Sequence, residues 1–182
     1  MNTFQASISH SVTFKACFFS LLCLLMTAGY SDTLLASESL VKAGWIEEVR
    51  IFPGNLRMVA KLDTGAESAS IHAENIDRFE RDGKPWVKFT VIDRTNKNLV
   101  LEREVQRIVK IKRHKQKAAE RPVVLLDICL GDTHKEAEVN LANRSNYEYE
   151  LLIGRVYLNN HFTIDPSSKR NLEPNCKDSA SE

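Results

Sequence analysis

KLDTGA, at positions 61–66, delivers an aspartate from an apolar strand into a turn that contains threonine and glycine. Two such carboxylates that share one proton work as a unit, because one acts as a general base on water while the other donates to a carbonyl. Glycine permits the close backbone approach that lets two such turns meet, and the Thr64 hydroxyl can hydrogen-bond a partner loop. Alone, Asp63-Thr64-Gly65 is ordinary turn chemistry, so a second feature is needed.

That second feature is an apolar strand, residues 151–153, that leads into Gly154-Arg155. After the apolar N-terminal segment, turn sequences punctuate the chain at 53–55, 82–85, 95–98 and 131–132. Such punctuation is typical of antiparallel β structure. Val87, Phe89 and Val91 alternate with polar residues, which predicts a strand with one buried face.

The same patterns predict strands at residues 44–52, 57–63, 86–93, 99–112, 122–130, 135–142, 149–153 and 161–165. Residues 122–130 are the most continuously apolar of these and are expected to form a central strand. Short helices are expected around 69–79 and 155–159. Neither a long amphipathic helix nor an internal repeat is visible in the sequence.

The two motifs, in this order and at this separation, resemble the retropepsin-like aspartic proteases. The resemblance covers roughly residues 44–169 and extends to a bacterial group labelled ATP-dependent zinc protease, which includes proteins associated with the glutamate ligase of ribosomal-protein modification. It implies an all-β fold, a closed or open barrel of short antiparallel strands with one short helix near the C-terminal end. The signatures are Gly44-Trp45, residues 61–66, Ser70-Ile71-His72-Ala73, Arg121-Pro122-Val123, Asn143-Arg144, Leu152-Ile153-Gly154-Arg155 and Phe162-Thr163-Ile164-Asp165-Pro166.

The resemblance makes Asp63 the catalytic aspartate. In related proteases the apolar-apolar-glycine strand packs beside the catalytic loop, which is the place expected for Gly154. Glu67 stands where relatives have an acid that can pair with this arginine, so a buried or partly buried Glu67–Arg155 pair is expected to tie the loop to the following helix. The residues expected to support the catalytic loop are Thr64, Gly65 and Ala66.

The second carboxylate must come from elsewhere, because only one Asp-Thr-Gly occurs in the chain. A homodimer would supply it from the partner's own loop, and this is the arrangement that we expect. The alternatives within the chain are Asp165, in an Ile-Asp-Pro sequence, and Asp127, in the middle of an apolar run where an unpaired charge is costly. A turn cap and a strand-edge acid are the simpler interpretations of these two residues.

The region where retroviral proteases carry a glycine-rich flap is basic here and contains no glycine. Residues 110–121 are therefore expected to form a solvated hairpin, and the alternative is a surface that attracts an acidic substrate such as polyglutamate or an anionic envelope polymer. The basic residues are Lys110, Lys112, Arg113, Lys115, Lys117 and Arg121.

No metal and no cofactor are expected, whatever the label of the group says. The sequence has no H-E-x-x-H motif and no nucleotide-binding G-x-x-x-x-G-K-[ST] loop. His72 follows the catalytic loop closely, and we expect it to pack and to donate one structural hydrogen bond. The histidines lie without ligand spacing at His10, His72, His114, His134 and His161.

A chain of 182 residues suits one compact domain with short tails. Lys15 is the only charged side chain in the first thirty-one residues, and an apolar run follows it. Residues 1–36 are therefore expected to be a secretory signal peptide, cleaved after Gly29 or Ala36, although an uncleaved membrane anchor is the alternative. The protease-like domain is expected at 37–172 and a flexible polar tail at 173–182.

Two cysteines, Cys17 and Cys23, lie in the apolar signal, which leaves Cys129 and Cys176 for the mature protein. Export makes a disulfide between them permissible. Cys129 sits in an apolar run where a free buried thiol is the commoner outcome, so an unbridged Cys129 is the first expectation and the disulfide the alternative.

The leading hypothesis is an exported aspartic peptidase, periplasmic or secreted, that hydrolyses amide bonds of a peptide or protein. The alternatives are a non-catalytic module that holds a peptide or an envelope protein, and a structural accessory subunit. Lys and Arg number 25 against 24 Asp and Glu, a net charge of +1, which argues against nucleic acid as a partner. Contact with a membrane is expected only through an uncleaved signal.

Overall fold

The computed structural model describes residues 39–113 and 116–177, so the predicted signal peptide lies outside the described residues. The predicted fold class is confirmed, because the described chain is almost entirely strand with one short helix. Within these two ranges there is no helix of the length and hydropathy that a membrane crossing requires. The elements are β1 (Val41–Phe52), β2 (Leu56–Leu62), β3 (Ala69–His72), β4 (Glu74–Arg81), β5 (Lys84–Ile92), β6 (Asn98–Glu104), β7 (Arg107–Arg113), β8 (Gln116–Leu130), β9 (Thr133–Ala142), β10 (Leu151–Ile153), α1 (Arg155–Leu158) and β11 (Phe162–Lys169).

Six strands form a closed barrel in the order β1-β2-β10-β3-β9-β8, and the pairing of β8 with β1 closes it. Strand β11 extends the sheet beside β1, and β7 extends it beside β8. A separate three-stranded sheet has the order β4-β5-β6. Three pairings are parallel, β1 with β11, β2 with β10 and β3 with β9, whereas only antiparallel strands were expected.

The core is apolar and continuous between the barrel and the smaller sheet. Val87, Phe89 and Val91 are fully buried, as their alternation predicts. Each large side chain that is fully removed from water contributes about 1.5–3 kcal/mol. Other fully buried large residues include Ile51, Leu56, Met58, Ile71, Leu126, Ile128, Leu130, Leu141, Leu151 and Ile153.

The helix expected at residues 69–79 is wrong, because strands β3 and β4 occupy that segment. All four residues of β3 are buried between β10 and β9, and pairing on both sides satisfies the strand's peptide groups there. The long strand expected at 99–112 is two strands, since the chain leaves the small sheet after Glu104 and joins the barrel sheet at Arg107. The helix expected at 155–159 is present as α1.

The basic segment 110–121 forms part of a β7–β8 hairpin, whose turn residues 114–115 lie outside the described chain. Part of its charge is balanced by an acid on the opposite strand. Lys110 lies 3.7 Å from a carboxylate oxygen of Glu120, and Arg78 of β4 lies 3.7 Å from the other oxygen. The expected hairpin is thus found, and its described ion pairs at Glu120 are exposed and individually weak.

Strand β10 lies between β2 and β3, the two strands that the Asp63 loop connects. The chain after β10 must therefore pass directly against that loop. Gly154 stands at this crossing, where an added Cβ would lie 2.6 Å from the carbonyl oxygens of both Glu67 and Ser68. Only glycine allows this approach without displacing the loop backbone.

Glu47 is a fully buried carboxylate that no sequence pattern singles out. It accepts main-chain N–H groups from Gly44, from Asn171 at 3.2 Å and from Leu172 at 3.0 Å. Several such bonds are what a buried charge requires in place of water. Glu47 thereby attaches the segment after β11 to strand β1.

More of the C-terminal segment is held against the domain than the sequence predicts. Cys129 and Cys176 form a disulfide with a Cα–Cα separation of 5.9 Å, so the first expectation of a free Cys129 thiol is wrong. The Asn175 N–H donates to the Gly131 carbonyl at 2.9 Å, and Pro174 is buried. These contacts hold residues 174–176 against the domain, contrary to a flexible tail that begins at Glu173.

Reduction of the Cys129–Cys176 disulfide is expected to lower the free energy of unfolding by roughly 2–4 kcal/mol, because the bond closes a loop of 47 residues in the unfolded chain. Urea unfolding with and without a phosphine reductant measures the difference. A Cys129→Ala/Cys176→Ser double variant is the control, since the reductant should not change its midpoint. An identical midpoint for oxidised and reduced protein would contradict the expectation.

Substitution of Gly154 by alanine is expected to destabilise the fold by about 3 kcal/mol or to prevent folding, because the new methyl group collides with two backbone carbonyls. Thermal unfolding followed by circular dichroism measures the change. Gly83→Asn is the control, because no atom lies within 4 Å of an added Cβ there and asparagine tolerates its positive φ. Equal stability of the Gly154→Ala variant and the wild type would refute the close approach.

Candidate active site

Asp63 directly follows β2 and enters the loop that leads to β3. Its N–H donates to the Ile153 carbonyl at 2.8 Å, which continues the pairing with β10. Its side-chain Oδ1 accepts the Gly65 N–H at 2.9 Å. The side chain is 26% exposed, so the carboxylate is oriented by the backbone and remains open to a ligand.

The supporting loop is held by main-chain bonds on both sides of the crossing. The Ala66 N–H donates to the Asp63 carbonyl at 3.2 Å, which closes the turn. The Arg155 N–H donates to the Ala66 carbonyl at 2.9 Å, and the Val156 N–H donates to the Glu67 carbonyl at 3.1 Å. The predicted packing of the Gly154 strand beside the Asp63 loop is thus present in the structure.

The Glu67–Arg155 pair differs from the expectation. Both residues are exposed, and no ion pair joins them among the described residues. One guanidinium nitrogen of Arg155 instead donates to the carbonyl oxygens of Thr64 at 3.0 Å and Gly65 at 2.9 Å. The arginine thus finds its acceptors in the turn itself. Glu67 faces Arg107, where its charge helps to raise the pKa of that guanidinium behind the larger effect of Glu138.

A cavity of about 350 Å³ opens beside Asp63. The ammonium group of Lys61 lies 3.5 Å from Asp63 Oδ2. Trp45 and Tyr149 meet edge to face with their ring centroids 6.1 Å apart. The cavity therefore offers an acid, cations and aromatic surfaces in one place. Its lining residues are Trp45, Lys61, Asp63, Arg144, Tyr147, Glu148, Tyr149 and Leu152.

Arg144 is the buried cation of this cavity, with 8% of its surface exposed. Its Nε donates to the Tyr149 carbonyl at 3.1 Å, and its guanidinium carbon lies 4.6 Å from the centroid of the Tyr147 ring. Burial lowers its pKa, the charge of Arg121 acts in the same direction, and Asp63 is among the groups that oppose the shift. Among the described residues no carboxylate forms a salt bridge with it. A buried arginine so placed still carries its charge and has N–H groups left for a ligand.

A larger cavity of about 760 Å³ adjoins the first and shares Arg144 and its neighbours as a common wall. Lys169 lies on its rim, with the ammonium 4.5 Å from the centroid of the Trp45 ring. A guanidinium nitrogen of Arg94 lies 3.5 Å from a carboxylate oxygen of Glu48, which partly balances the charge of this arginine. The charged lining residues are Arg94, Arg144, Lys169 and Arg170 against Glu148 and Glu150, which leaves an excess of positive charge.

His72 packs as predicted, and besides the expected donated hydrogen bond its ring also accepts one. Its Nδ1 accepts the main-chain N–H of Arg144 at 2.9 Å. Since an amide can only donate, Nδ1 carries no proton and the neutral ring is protonated at Nε2. That nitrogen lies 3.4 Å from a carboxylate oxygen of Glu74.

Neither alternative aspartate lines the cavity of Asp63. Asp165 contacts Lys42 at 2.7 Å and accepts the N–H and hydroxyl of Ser167, and the Lys42 contact holds the pKa of Asp165 well below its usual value. Asp165 is thus the turn cap that its sequence context suggests. Asp127 lies in β8, opposite Phe52 and Glu136. The acid that does share the cavity with Asp63 is Glu148.

Sequence reasoning missed the roles of several lining residues. Most of them come from residues 143–150, a polar segment between β9 and β10 that reads as an ordinary loop. In this segment, the pair Asn143-Arg144 is the one sequence signature of the resemblance. No group of three or more His, Cys, Asp or Glu side chains is arranged to hold a metal within the described part of the chain.

Comparisons with known proteins identify relatives of this chain. A probable alpha-L-glutamate ligase of Shewanella pealeana is 36% identical over 126 residues, which cover 66% of this chain and 28% of that protein. A probable alpha-L-glutamate ligase of Desulfotalea psychrophila is 32% identical over 116 residues, 59% of this chain and 24% of that protein. The chain thus spans about a quarter of the length of these curated relatives.

The crystal structure of a Legionella pneumophila protein of unknown function superposes with a TM-score of 0.64 at 39% identity, and it covers 74% of this chain and 100% of that one. Residues 42–174 match the family described as retropepsin-like aspartic endopeptidase RimB. The matched range contains the Asp63 loop, the Gly154 crossing and the segment 143–150. The resemblance seen in the sequence is therefore confirmed, and the chain belongs to the RimB-like family of retropepsin-like aspartic endopeptidases.

Proposed function

We propose that the protein is an aspartic-type peptidase that hydrolyses peptide bonds by water activated at Asp63. The observation that carries the proposal is the backbone-held carboxylate of Asp63 facing an open cavity. Asp63 would take a proton from water as the oxygen adds to the amide carbonyl carbon. The proton would then pass to the leaving nitrogen as the C–N bond breaks, with no covalent enzyme intermediate.

The second carboxylate is proposed to come from a second copy of the chain. Next to the Asp63 loop, an apolar groove is lined by Leu40, Thr64 and Val156. Val156 is 65% exposed and Leu40 is 46% exposed, which is unusual for large apolar side chains that lie side by side. A two-fold axis through this face would bring identical loops together, because a dimer of that symmetry pairs the same patch on both subunits.

The substrate is proposed to be an acidic peptide or protein. Support comes from the excess of positive charge in the larger of the two adjoining cavities. It also comes from the buried guanidinium of Arg144, which has no carboxylate partner among the described residues. A substrate carboxylate that reached Arg144 would form a charge-assisted hydrogen bond close to Asp63. This cationic wall lies in the cleft itself, whereas Lys110 of the β7–β8 hairpin is exposed.

Export to the periplasm or beyond is proposed as the location. The apolar segment after Lys15 supports it, and so does the Cys129–Cys176 disulfide, because such bonds persist in oxidising compartments. An exported peptidase would meet envelope or extracellular peptides. Two relatives carry the name of a glutamate ligase, and whether this chain works with such an enzyme depends on a shared compartment.

One observation favours the alternative of a non-catalytic binding module. The ammonium of Lys61 lies 3.5 Å from Asp63 and would compete with a water for that carboxylate. The partly exposed Lys61 side chain is a flexible, hydrated charge that can move away from the carboxylate. The contact therefore counts against a peptidase but is compatible with one. The activity of Asp63 variants separates the two functions.

Replacement of Asp63 by asparagine is expected to lower peptide hydrolysis about 10²–10⁴-fold, because the general base is lost with little change in shape. The assay uses the protein from Ser37 onward and a mixed peptide library that includes poly-α- and poly-γ-glutamate, from pH 4 to 7. Asp132→Asn, in an exposed turn, is the matched control. Silence of both folded wild type and variant would favour the binding module.

The Glu148→Gln variant identifies the source of the second carboxylate in the same assay. If a partner's Asp63 supplies it, the Glu148→Gln protein still cleaves the library. Loss of cleavage comparable to that of Asp63→Asn would instead make Glu148 the second acid within one chain, since it lines the same cavity.

Introduction of a charge at the groove is expected to break the dimer. In Val156→Asp, two like charges would face each other across the axis, and the dimer dissociation constant is expected to rise at least about a hundredfold. Sedimentation equilibrium measures it. Val100→Asp is the control, because Val100 is similarly exposed at 56% but lies on β6 of the small sheet. A wild type that is monomeric at high concentration, yet active, would overturn the dimer proposal.

A further inference from the structure

The loop between β9 and β10, residues 143–150, forms the common wall of the two cavities. It carries the buried Arg144 guanidinium and the aromatic side chains of Tyr147 and Tyr149. Within the loop, the Tyr147 N–H donates to the Arg144 carbonyl at 2.8 Å. A loop of this length needs attachment to the domain if its arginine is to stay in one place.

His72, the last residue of β3, is attached to both ends of this loop. Its main-chain N–H donates to the Glu150 carbonyl at 2.7 Å, at the end that enters β10. Its side-chain Nδ1 accepts the Arg144 N–H at 2.9 Å, at the end that leaves β9. One residue of a central strand thus fixes the loop where it begins and where it ends.

The bond to Arg144 depends on the chemistry of the imidazole. His72 is 8% exposed, so the Arg144 N–H would have no ready replacement partner if Nδ1 were lost. The Glu74 carboxylate, 3.4 Å from Nε2, favours the tautomer that leaves Nδ1 free to accept. An apolar side chain could fill the same volume, but it could not hold the amide.

We propose that His72 is a positioning residue for the cleft. By accepting the Arg144 amide it fixes the start of the 143–150 loop, and thereby the place of the Arg144 guanidinium beside Asp63. The structural part of this role is independent of what the protein does. Its effect on ligand binding rests on the proposed acidic substrate.

Two amide substitutions separate this role from simple packing. In His72→Asn, the side-chain oxygen can occupy the place of Nδ1 and accept the Arg144 N–H. In His72→Gln, the amide extends to the place of Nε2 and leaves that N–H without an acceptor. A histidine needed only for packing would tolerate the two variants equally, or would tolerate the larger glutamine better.

Hydrogen exchange at the Arg144 amide tests the attachment directly by NMR. Exchange is expected to be about ten- to hundredfold faster in His72→Gln than in the wild type, and close to the wild-type rate in His72→Asn. Thermal unfolding of each protein is measured alongside, so that a global loss of stability is recognised by faster exchange throughout the barrel. Equal exchange rates at Arg144 in all three proteins would overturn the proposal.

Ligand binding tests the consequence. The probe is hexa-α-L-glutamate, titrated into Asp63→Asn protein so that no cleavage occurs, with the fluorescence of Trp45 in the cavity as the signal. In this background, the second substitution His72→Gln is expected to weaken binding of the probe about tenfold. The second substitution His72→Asn is expected to leave binding close to that of the Asp63→Asn protein. Equal weakening by both substitutions would overturn the positioning role. If the Asp63→Asn protein does not bind the probe, the acidic substrate is refuted, and exchange at Arg144 alone decides the role of His72.

Discussion

The structure depends on the passage of the chain at Gly154 beneath the Asp63 loop. Strand β10 is parallel to β2 and antiparallel to β3, so it separates the two strands that the loop must join. The loop can close over β10 only if the residue beneath it has no side chain. The same crossing supplies the hydrogen bonds that orient Asp63, which means that barrel closure and site geometry are one constraint.

The cleft is built from two parts that are held in different ways. The Asp63 loop is fixed by main-chain bonds across the crossing and by the Arg155 guanidinium on its outer carbonyls. The opposite wall, residues 143–150, is held at its two ends by His72, through the Arg144 N–H and the Glu150 carbonyl. Local opening is therefore expected at the second part first, because fewer bonds oppose it. A cleft that must admit a peptide and then hold it benefits from one rigid wall and one adjustable wall.

The sequence predicted what is encoded locally and missed what depends on distant contacts. The Asp-Thr-Gly turn and the apolar strand before Gly154-Arg155 are short patterns with a strict backbone meaning, so both were placed correctly, as was the buried face of β5. The helix expected at 69–79 failed because burial between two strands overrode a weak local preference. Local sequence does not favour the Cys129–Cys176 bond, because the bond requires the C-terminal segment to return along the barrel. That path depends on the buried carboxylate of Glu47. Arg144 could be noted as a motif, but its burial beside Asp63 exists only in the folded chain.

Charge in the cleft bears on how two copies could share one site. A single chain places the cations of Lys61 and Arg144 around the carboxylates of Asp63 and Glu148. The excess of positive charge lies in the adjoining larger cavity. Two aspartates brought together without such compensation repel each other, and sharing a proton relieves only part of that cost. In the proposed dimer, a second Asp63 would enter a cleft whose two adjoining cavities, taken together, are lined by more cations than carboxylates. The cations that would compete with a water in one chain would therefore favour the approach of the second carboxylate and of the proposed acidic peptide.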